Sequence, residues 1–344
     1  MSEASGAVPR ERGKPVMRDV ARLVGVSHQT VSRVLNNHPS VRRETRERVL
    51  AAIRELDYHR NSAARALVTD RSHILGVVTL DLNLVGPAST VSAIERVARE
   101  AGYFVSVASA SATDEDSMVD AIGRLREQGV EGIVTVAPVD SLLAALARVP
   151  EEMPLVGTGI GHAPGVPMVG VDNYGGAVAA TRHLLDLGHA TVHHICGPTD
   201  WPETRERLKG WRATLTEAGA EVPPVLAGDW SARSGYEAAR LIARDPQVTA
   251  VFCGNDQMAV GALRALHQAG RAVPGEVSVV GFDGIPEAAY LQPPLTTVAQ
   301  DFGALGRASL ELLINQIATG ERPSQHVLHP PRLVVRESTG PVAG

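Results

Sequence analysis

The sequence predicts a small all-α unit at the N-terminus followed by a two-lobed α/β body built on doubly wound parallel sheets. Three observations predict it. Residues 16–56 carry apolar positions at helical spacing in three short segments. From His73 onward, short apolar runs alternate with amphipathic helical stretches. That alternation occurs in two successive sets, which calls for two sheets rather than one. A chain of 344 residues is also too long for a single core and fits two or three domains.

The first segment, Ser2 to Lys14, is small, polar and charged. It lacks the apolar core of a signal peptide, so residues 1–15 are expected to be a disordered tail. Two short helices follow. Val20, Ala21 and Leu23 give the first an apolar stripe, and Val31, Val34 and Leu35 do the same for the second. Gly25 stands where the chain must bend, and Ser27 is placed to cap the second helix. The cap puts His28, Gln29 and Thr30 in the first helical turn, with Arg33 one turn beyond Gln29 on the same face. Gln pairs bidentately with adenine and Arg with guanine, so a helix presenting both from its N-terminal half suits the major groove of DNA. The pair therefore reads as a helix-turn-helix. The alternative is an ordinary amphipathic helix pair with a solvated polar face.

Pro39 interrupts the chain, and a third helix is expected from about Arg43 to Leu56, with Val49, Ile53 and Leu56 inward and Arg42 at its start within reach of a phosphate. Residues 16–59 thus form a headpiece. Residues 60–72 form an Ala-rich basic linker, marginal as a helix by itself, in which Leu67 could wedge into a minor groove. In the body, strands are expected at 74–78, 104–107, 132–136, 155–156, 192–196, 250–253 and 277–280. Helices are expected around 88–101, 115–128, 141–148, 175–187, 203–218, 233–244, 257–269 and 303–318. The body spans 73–338. Lobe 1 takes about 73–172 plus 303–338, including the run Leu333–Val335, and lobe 2 takes about 173–302. Such sheets bind ligands at strand carboxyl ends, here in a cleft between lobes.

Composition narrows the function class. Charged residues make up 21% and hydrophobic residues 44% of the chain, with no apolar run of membrane-spanning length. The net charge of −5 is unevenly spread: residues 1–72 hold 14 Lys and Arg against 8 Asp and Glu, and the remainder holds 19 against 30. A basic head on an acidic body confines phosphate binding to one end. Cys196 and Cys253 lie in separate apolar runs without C-x-x-C spacing, as expected of free buried thiols in a reducing cytoplasm. No catalytic motif, metal-spaced His/Cys set or cofactor fingerprint stands out. His193 and His194 are adjacent on a strand and point to opposite faces. Gly157-Thr158-Gly159-Ile160-Gly161 is not G-x-G-x-x-G and no suitable helix follows it. An enzyme on a doubly wound scaffold is therefore disfavoured. So is a sugar-transport receptor, given the basic headpiece and the missing signal peptide.

The order of parts, with Asp19-Val20-Ala21, Gly25-Val26-Ser27, Thr30-Val31-Ser32-Arg33-Val34 and Asn36 in the headpiece, resembles the lactose-repressor (LacI/GalR) family of bacterial transcription regulators. The body adds Leu187-Gly188-His189, Gly228-Asp229-Trp230-Ser231, Asn255-Asp256-Gln257-Met258-Ala259, Ser278-Val279-Val280-Gly281-Phe282-Asp283, Pro294-Leu295-Thr296-Thr297 and Gln300-Asp301-Phe302. The resemblance covers residues 16–338. It implies a periplasmic-binding-protein-like body and a cytoplasmic, homodimeric repressor that binds a palindromic double-stranded operator and is released by a small sugar-like effector, galactoside-like in type. The alternative within the family is a co-repressor-dependent regulator answering to a non-sugar metabolite. It implies base contacts from His28, Gln29 and Arg33, and phosphate contacts from Ser27, Thr30, Ser32 and Asn36, beside the one that the position of Arg42 already suggests. It also implies minor-groove contacts from a hinge holding Asn61 and Leu67. In the cleft it implies an apolar wall of Leu84 and Pro87, hydrogen bonds from Arg207, Asn255 and Asp283, stacking by Trp230, and a border of Gln300 and Phe302. Asp256 either caps the helix after it or touches the ligand.

The chain departs from the family pattern in four places. Val16 stands where a hydroxyl cap is usual, so Asp19 is expected to share the capping. Arg60 replaces the proline before the hinge. Ala112, Val136 and Gly159 occupy first-lobe positions where the name-giving repressor has polar sugar contacts, which removes half of a polar cage. No leucine-heptad tail follows the body, so a dimer is expected rather than a tetramer.

Overall fold

The computed structural model describes residues 15–35, 38–58, 71–80, 82–111, 115–136, 139–146, 148–161 and 163–342. Residues 1–14 of the expected tail, the hinge residues Asn61 and Leu67, and Asn36 and Ala112 lie outside them. The chain forms two compact units, one ending at Ser72 and one beginning at His73.

The first unit holds helices α1 (Met17–Val24), α2 (His28–Leu35) and α3 (Arg43–Glu55). Val20, Ala21, Val24, Val31, Val34, Val49 and Ala52 pack into its core with Tyr58. Leu23, expected inward, is 48% exposed, and Val24 is buried in its place. Val20 and Val24 are four residues apart and share a face, whereas Leu23 turns away from it. The Asp19 carboxylate accepts from the Val16 N–H at 3.0 Å, so Asp19 ties down the start of α1 where a hydroxyl cap is missing. Gly25 ends the helix at φ 69°, in the left-handed region. Ser27 Oγ accepts from the Thr30 N–H at 3.1 Å and caps α2.

Among the described residues the body contains two six-stranded sheets. The first has β1 (Ile74–Thr79), β2 (Phe104–Ser109), β3 (Gly132–Val136), β4 (Leu155–Thr158), β5 (Met168–Val171) and β11 (His326–His329), in the order β11-β5-β4-β3-β1-β2 and all parallel. The second has β6 (His193–Cys196), β7 (Leu226–Ala227), β8 (Ala250–Cys253), β9 (Ser278–Asp283), β10 (Thr296–Ala299) and β12 (Arg332–Val334), in the order β12-β10-β9-β8-β6-β7. Its strands are parallel except β12, which runs antiparallel to β10. Helices α4 (Val85–Glu100) and α11 (Phe302–Thr319) cover one face of the first sheet, and α5 (Glu115–Glu127) and α6 (Asp140–Leu146) the other. Helices α7 (Asn173–Asp186) and α8 (Pro202–Glu217) pack on one face of the second sheet, and α9 (Ala232–Ile242) and α10 (Asp256–Gln268) on the other. The central strands are buried along nearly their whole length, which is why they read as unbroken apolar runs.

The chain tail corrects the sequence reading. Leu333–Val335 was expected in lobe 1, but Leu333 pairs with Val298 and Val334 with Thr297 in the second sheet. Lobe 1 therefore ends near β11, and Pro330-Pro331 carry the chain back across. The following residues are held by lobe 2: the Val279 N–H donates to the Ser338 carbonyl, and Ser338 Oγ accepts from the Thr296 N–H, both at 2.8 Å. No helix among the described residues is long and apolar enough to cross a membrane.

Candidate functional site

On α2, burial of Val31 and Val34 turns the other face outward. His28, Gln29 and Arg33 are exposed there, and their side chains make no hydrogen bond or ion pair among the described residues. Ser27 is also exposed, Thr30 and Ser32 are half-buried, and Arg42 is exposed just before α3. The three expected base-reading side chains thus stand free on one helical surface.

In the body, a cavity of about 310 Å³ lies between the lobes. All eight residues expected to line it do so: Leu84, Pro87, Arg207, Trp230, Asn255, Asp283, Gln300 and Phe302. The topology explains the convergence. Asp283 ends β9, Gln300 follows β10, Asn255 follows β8, and Leu84 and Phe302 stand at the starts of α4 and α11. These are strand carboxyl ends and helix amino ends, where parallel sheets leave a crevice. Val136 and Gly159 line the first-lobe side without a polar side chain, as the sequence implied, while Asn83, Thr90 and Thr158 line the same side.

Arg207 organises the second-lobe wall. It is 5% exposed; Nε donates to Asn173 Oδ1 at 2.8 Å, Nη1 donates to the Gly254 carbonyl, and Nη2 reaches Asp283 Oδ1 at 3.4 Å. Its guanidinium lies 3.7 Å from the centroid of Phe282 and 5.4 Å from that of Trp230, so it is clamped by aromatic faces as well as acceptors. Asp283 Oδ1 also accepts from Gln300 Nε2 at 2.6 Å. Burial pushes the Asp283 carboxyl up from its ordinary range, while Arg207 and Gln300 hold it down.

Trp230 and Asp283 hold φ of 72° and 105°, backbone conformations that side-chain-bearing residues rarely adopt. Asn255 explains how Trp230 is kept there. Its Oδ1 caps α10 by accepting from the Met258 N–H at 2.8 Å, and its Nδ2 donates to the Trp230 carbonyl at 3.0 Å. Gly197 is required beneath the indole, since a Cβ there would fall 2.3 Å from ring carbons of Trp230. Asp256 neither caps α10 nor lines the cavity. It is fully buried, accepts from the Gly284 and Ile285 N–H groups at 2.8 Å and from Thr297 Oγ1 at 2.6 Å, and so ties β9 to β10.

The lobes also meet through a pair of side chains that do not line the cavity. Asp140 on α6 accepts from both terminal nitrogens of Arg205 on α8, at 2.7 and 2.8 Å, in a bidentate fork. Trp201 packs against the apolar cores of both lobes. Glu203, Asn173 and Trp201 line the cavity and were not singled out from the sequence. Glu203 precedes Arg207 by four residues on one helix, a spacing that could have found it. His194 lies in the core, stacked on Phe252 at 4.5 Å, and Cys196 and Cys253 are free and buried.

Comparison with known proteins places this geometry. Residues 16–61 match the model for bacterial regulatory proteins of the lacI family, and residues 181–339 match a periplasmic binding protein-like domain. The lactose operon repressor of Escherichia coli (strain K12) is 35% identical over 329 residues, covering 95% of this chain and 91% of its own. The chain belongs to the lacI family. Within it, the regulator CelR of Thermobifida fusca is 37% identical over 349 residues, covering 95% of this chain and 99% of that one. A crystal structure of the lac repressor dimer bound to operator and the anti-inducer ONPF superimposes with a TM-score of 0.83 at 33% identity, over 95% of this chain and 99% of that one. A CelR–cellobiose complex follows at a TM-score of 0.69 and 33% identity, over 94% and 99%. As a lacI-family member the protein is a DNA-binding repressor that answers to a small molecule.

Proposed function

We propose that this repressor binds a palindromic operator as a homodimer and is released when a neutral sugar-like molecule enters the interlobe cavity. The observation that carries the reading is the pairing, in one chain, of an unpartnered Gln29–Arg33 face on α2 with a cavity walled by Arg207, Asp283, Asn255 and Trp230. His28, Gln29 and Arg33 read base edges. Ser27, Thr30, Ser32, Asn36 and Arg42 position the headpiece on phosphates, and Asn61 and Leu67 serve the hinge between half-sites. In the cavity, Trp230 offers a plate for a sugar face and the Arg207–Asp283 pair offers directed polar groups.

Release follows from linkage. A ligand that fits one arrangement of the lobes better than the other shifts their equilibrium, and a difference of about 1–3 kcal/mol is enough to change operator affinity. The Asp140–Arg205 fork spans the lobes and belongs to the arrangement described here. None of this calls for bond chemistry, and the related repressors are not enzymes. Selection of the full-length protein on random duplex DNA tests the reading. Enrichment of one inverted repeat is the expected result. Recovery of DNA without a shared sequence would leave the protein a non-specific binder.

A further inference from the structure

Hydrogen-bond accounting singles out one group on the polar wall of the cavity. Asn255 spends its amide on the Trp230 carbonyl, Gln257 and the cap of α10. Arg207 is held by Asn173, Gly254 and Asp283, and Asp283 by Arg207 and Gln300. Two lining side chains are left with enclosed polar atoms that have no hydrogen-bond partner among the described residues: Glu203 Oε2, an acceptor, and Trp230 Nε1, a donor. Enclosed polar atoms are rarely left unmatched, because each forfeits its hydration without replacement.

Charge accounting points the same way. Among the described lining residues the cation is Arg207, and Asp283 already opposes it. Glu203 and Asp229 then leave two negative charges in excess; Asp229 Oδ1 accepts from the Ser231 N–H at 2.9 Å, whereas Glu203 Oε2 has no such partner among the described residues. Arg205 cannot offset the excess freely, because its fork is taken by Asp140. Burial pushes the Glu203 carboxyl up, while its own and the Ile160 backbone N–H groups and the Arg207 and Arg205 charges hold it down. The facing first-lobe wall of Leu84, Pro87, Val136 and Phe302 supplies no cation for a ligand anion.

We propose that Glu203 sets the charge class of the effector: its carboxylate accepts from a hydroxyl of a neutral ligand, and it rejects ligands that bring a carboxylate or phosphate to the same place. Trp230 Nε1 donates to an oxygen of the same ligand. This inference rests on the reading of the cavity as the effector site and adds which chemistry it admits.

Matched neutral and acidic sugars test it by calorimetry on the full-length protein: galactose with galacturonate, lactose with lactobionate, and cellobiose with cellobionate. The expected result is binding of at least one neutral member, with its acid weaker by about tenfold or more. In Glu203→Gln, that neutral sugar weakens by about tenfold and the gap to the acid closes. The wild-type comparison can overturn the proposal even where the variant misfolds, and the variant assigns the preference to Glu203 rather than to Asp229 or Asp283. Equal binding of acid and neutral partner overturns the proposal, as does a Glu203→Gln protein with unchanged preference, or no binding of any neutral member up to its solubility. Loss of the underlying reading looks different: sugars then bind without altering operator affinity.

Discussion

Replacing Arg207 by methionine removes the cation that orders the polar wall while leaving an apolar stem against Phe282. The structure sets the magnitude. Asp283 is 6% exposed and stands 3.4 Å from Arg207, and without the guanidinium it keeps Gln300 as its hydrogen-bond donor. Removing one partner of a buried ion pair costs about 3–5 kcal/mol, because the other charge stays buried and uncompensated. Asp283→Asn in the same protein removes that stranded charge, so Arg207→Met with Asp283→Asn is expected to be more stable than the sum of the single losses predicts, by about 2 kcal/mol. The assay is convenient, since Trp201, Trp211 and Trp230 are the chain's three tryptophans and all lie in the second lobe. Urea unfolding followed by indole fluorescence therefore reports that lobe, with Trp201 also sensing the first-lobe core it packs against. Single losses that add within about 0.5 kcal/mol would refute the reasoning and make the pair two independent residues.

Three further outcomes follow from the same structure. Burial pushes His194 down to about 4, the Phe252 carbonyl opposing and the Arg207 charge assisting, with the neutral ring donating from Nδ1 to that carbonyl at 2.8 Å. The unfolded chain takes up this proton near its ordinary value of 6.5 and the folded chain near 4, so the contribution is present above 6.5 and lost as pH falls through that window. The second lobe should lose about 3 kcal/mol through His194 between those limits. Burial lowers His183, His189 and His193 as well, so the decisive comparison is with His194→Gln, whose acid slope should be shallower; equal slopes would dismiss His194 as the source. Arg33→Ala should lose about 1–3 kcal/mol at one operator base pair and relax preference there, whereas uniform weakening on every sequence would mark a phosphate contact. Trp230→Ala should remove the effector response in an operator-release assay, and a response of unchanged midpoint would reduce Trp230 to core packing.

Much of this was legible because the patterns are local. The alternation of Ile74–Val78, Gly132–Val136 and Ala250–Cys253 with amphipathic stretches gave both sheets, since buried parallel strands are apolar throughout. Strands β5, β7, β10 and β11 were not foreseen; at two to four residues they carry too little periodicity to separate from loop. The tail was misplaced because its pairing partner, β10, is more than thirty residues away and the pattern of Leu333–Val335 holds no sign of which sheet it joins. Leu23 was misread because a stripe taken by residue type ignores where the helix turns it. In the cavity, the planar hydrogen-bonders and the indole were recognisable by type. Glu203 was not, since an acid on an exposed-looking helix reads as solvated until Arg207, one turn on, is known to be buried. Asp256 shows the converse: an acid beside a helix start looks like a cap, and only the fold reveals Gly284, Ile285 and Thr297 around it.

The central claim is that a small neutral molecule in the interlobe cavity controls operator binding. Fluorescence anisotropy on the protein's own upstream intergenic DNA, at fixed salt and across a panel of sugars, tests it most directly. The expected result is tight, sequence-specific binding that one neutral sugar reverses in the wild type and fails to reverse in Trp230→Ala. Specific binding that no sugar weakens, or that a sugar tightens, would contradict it.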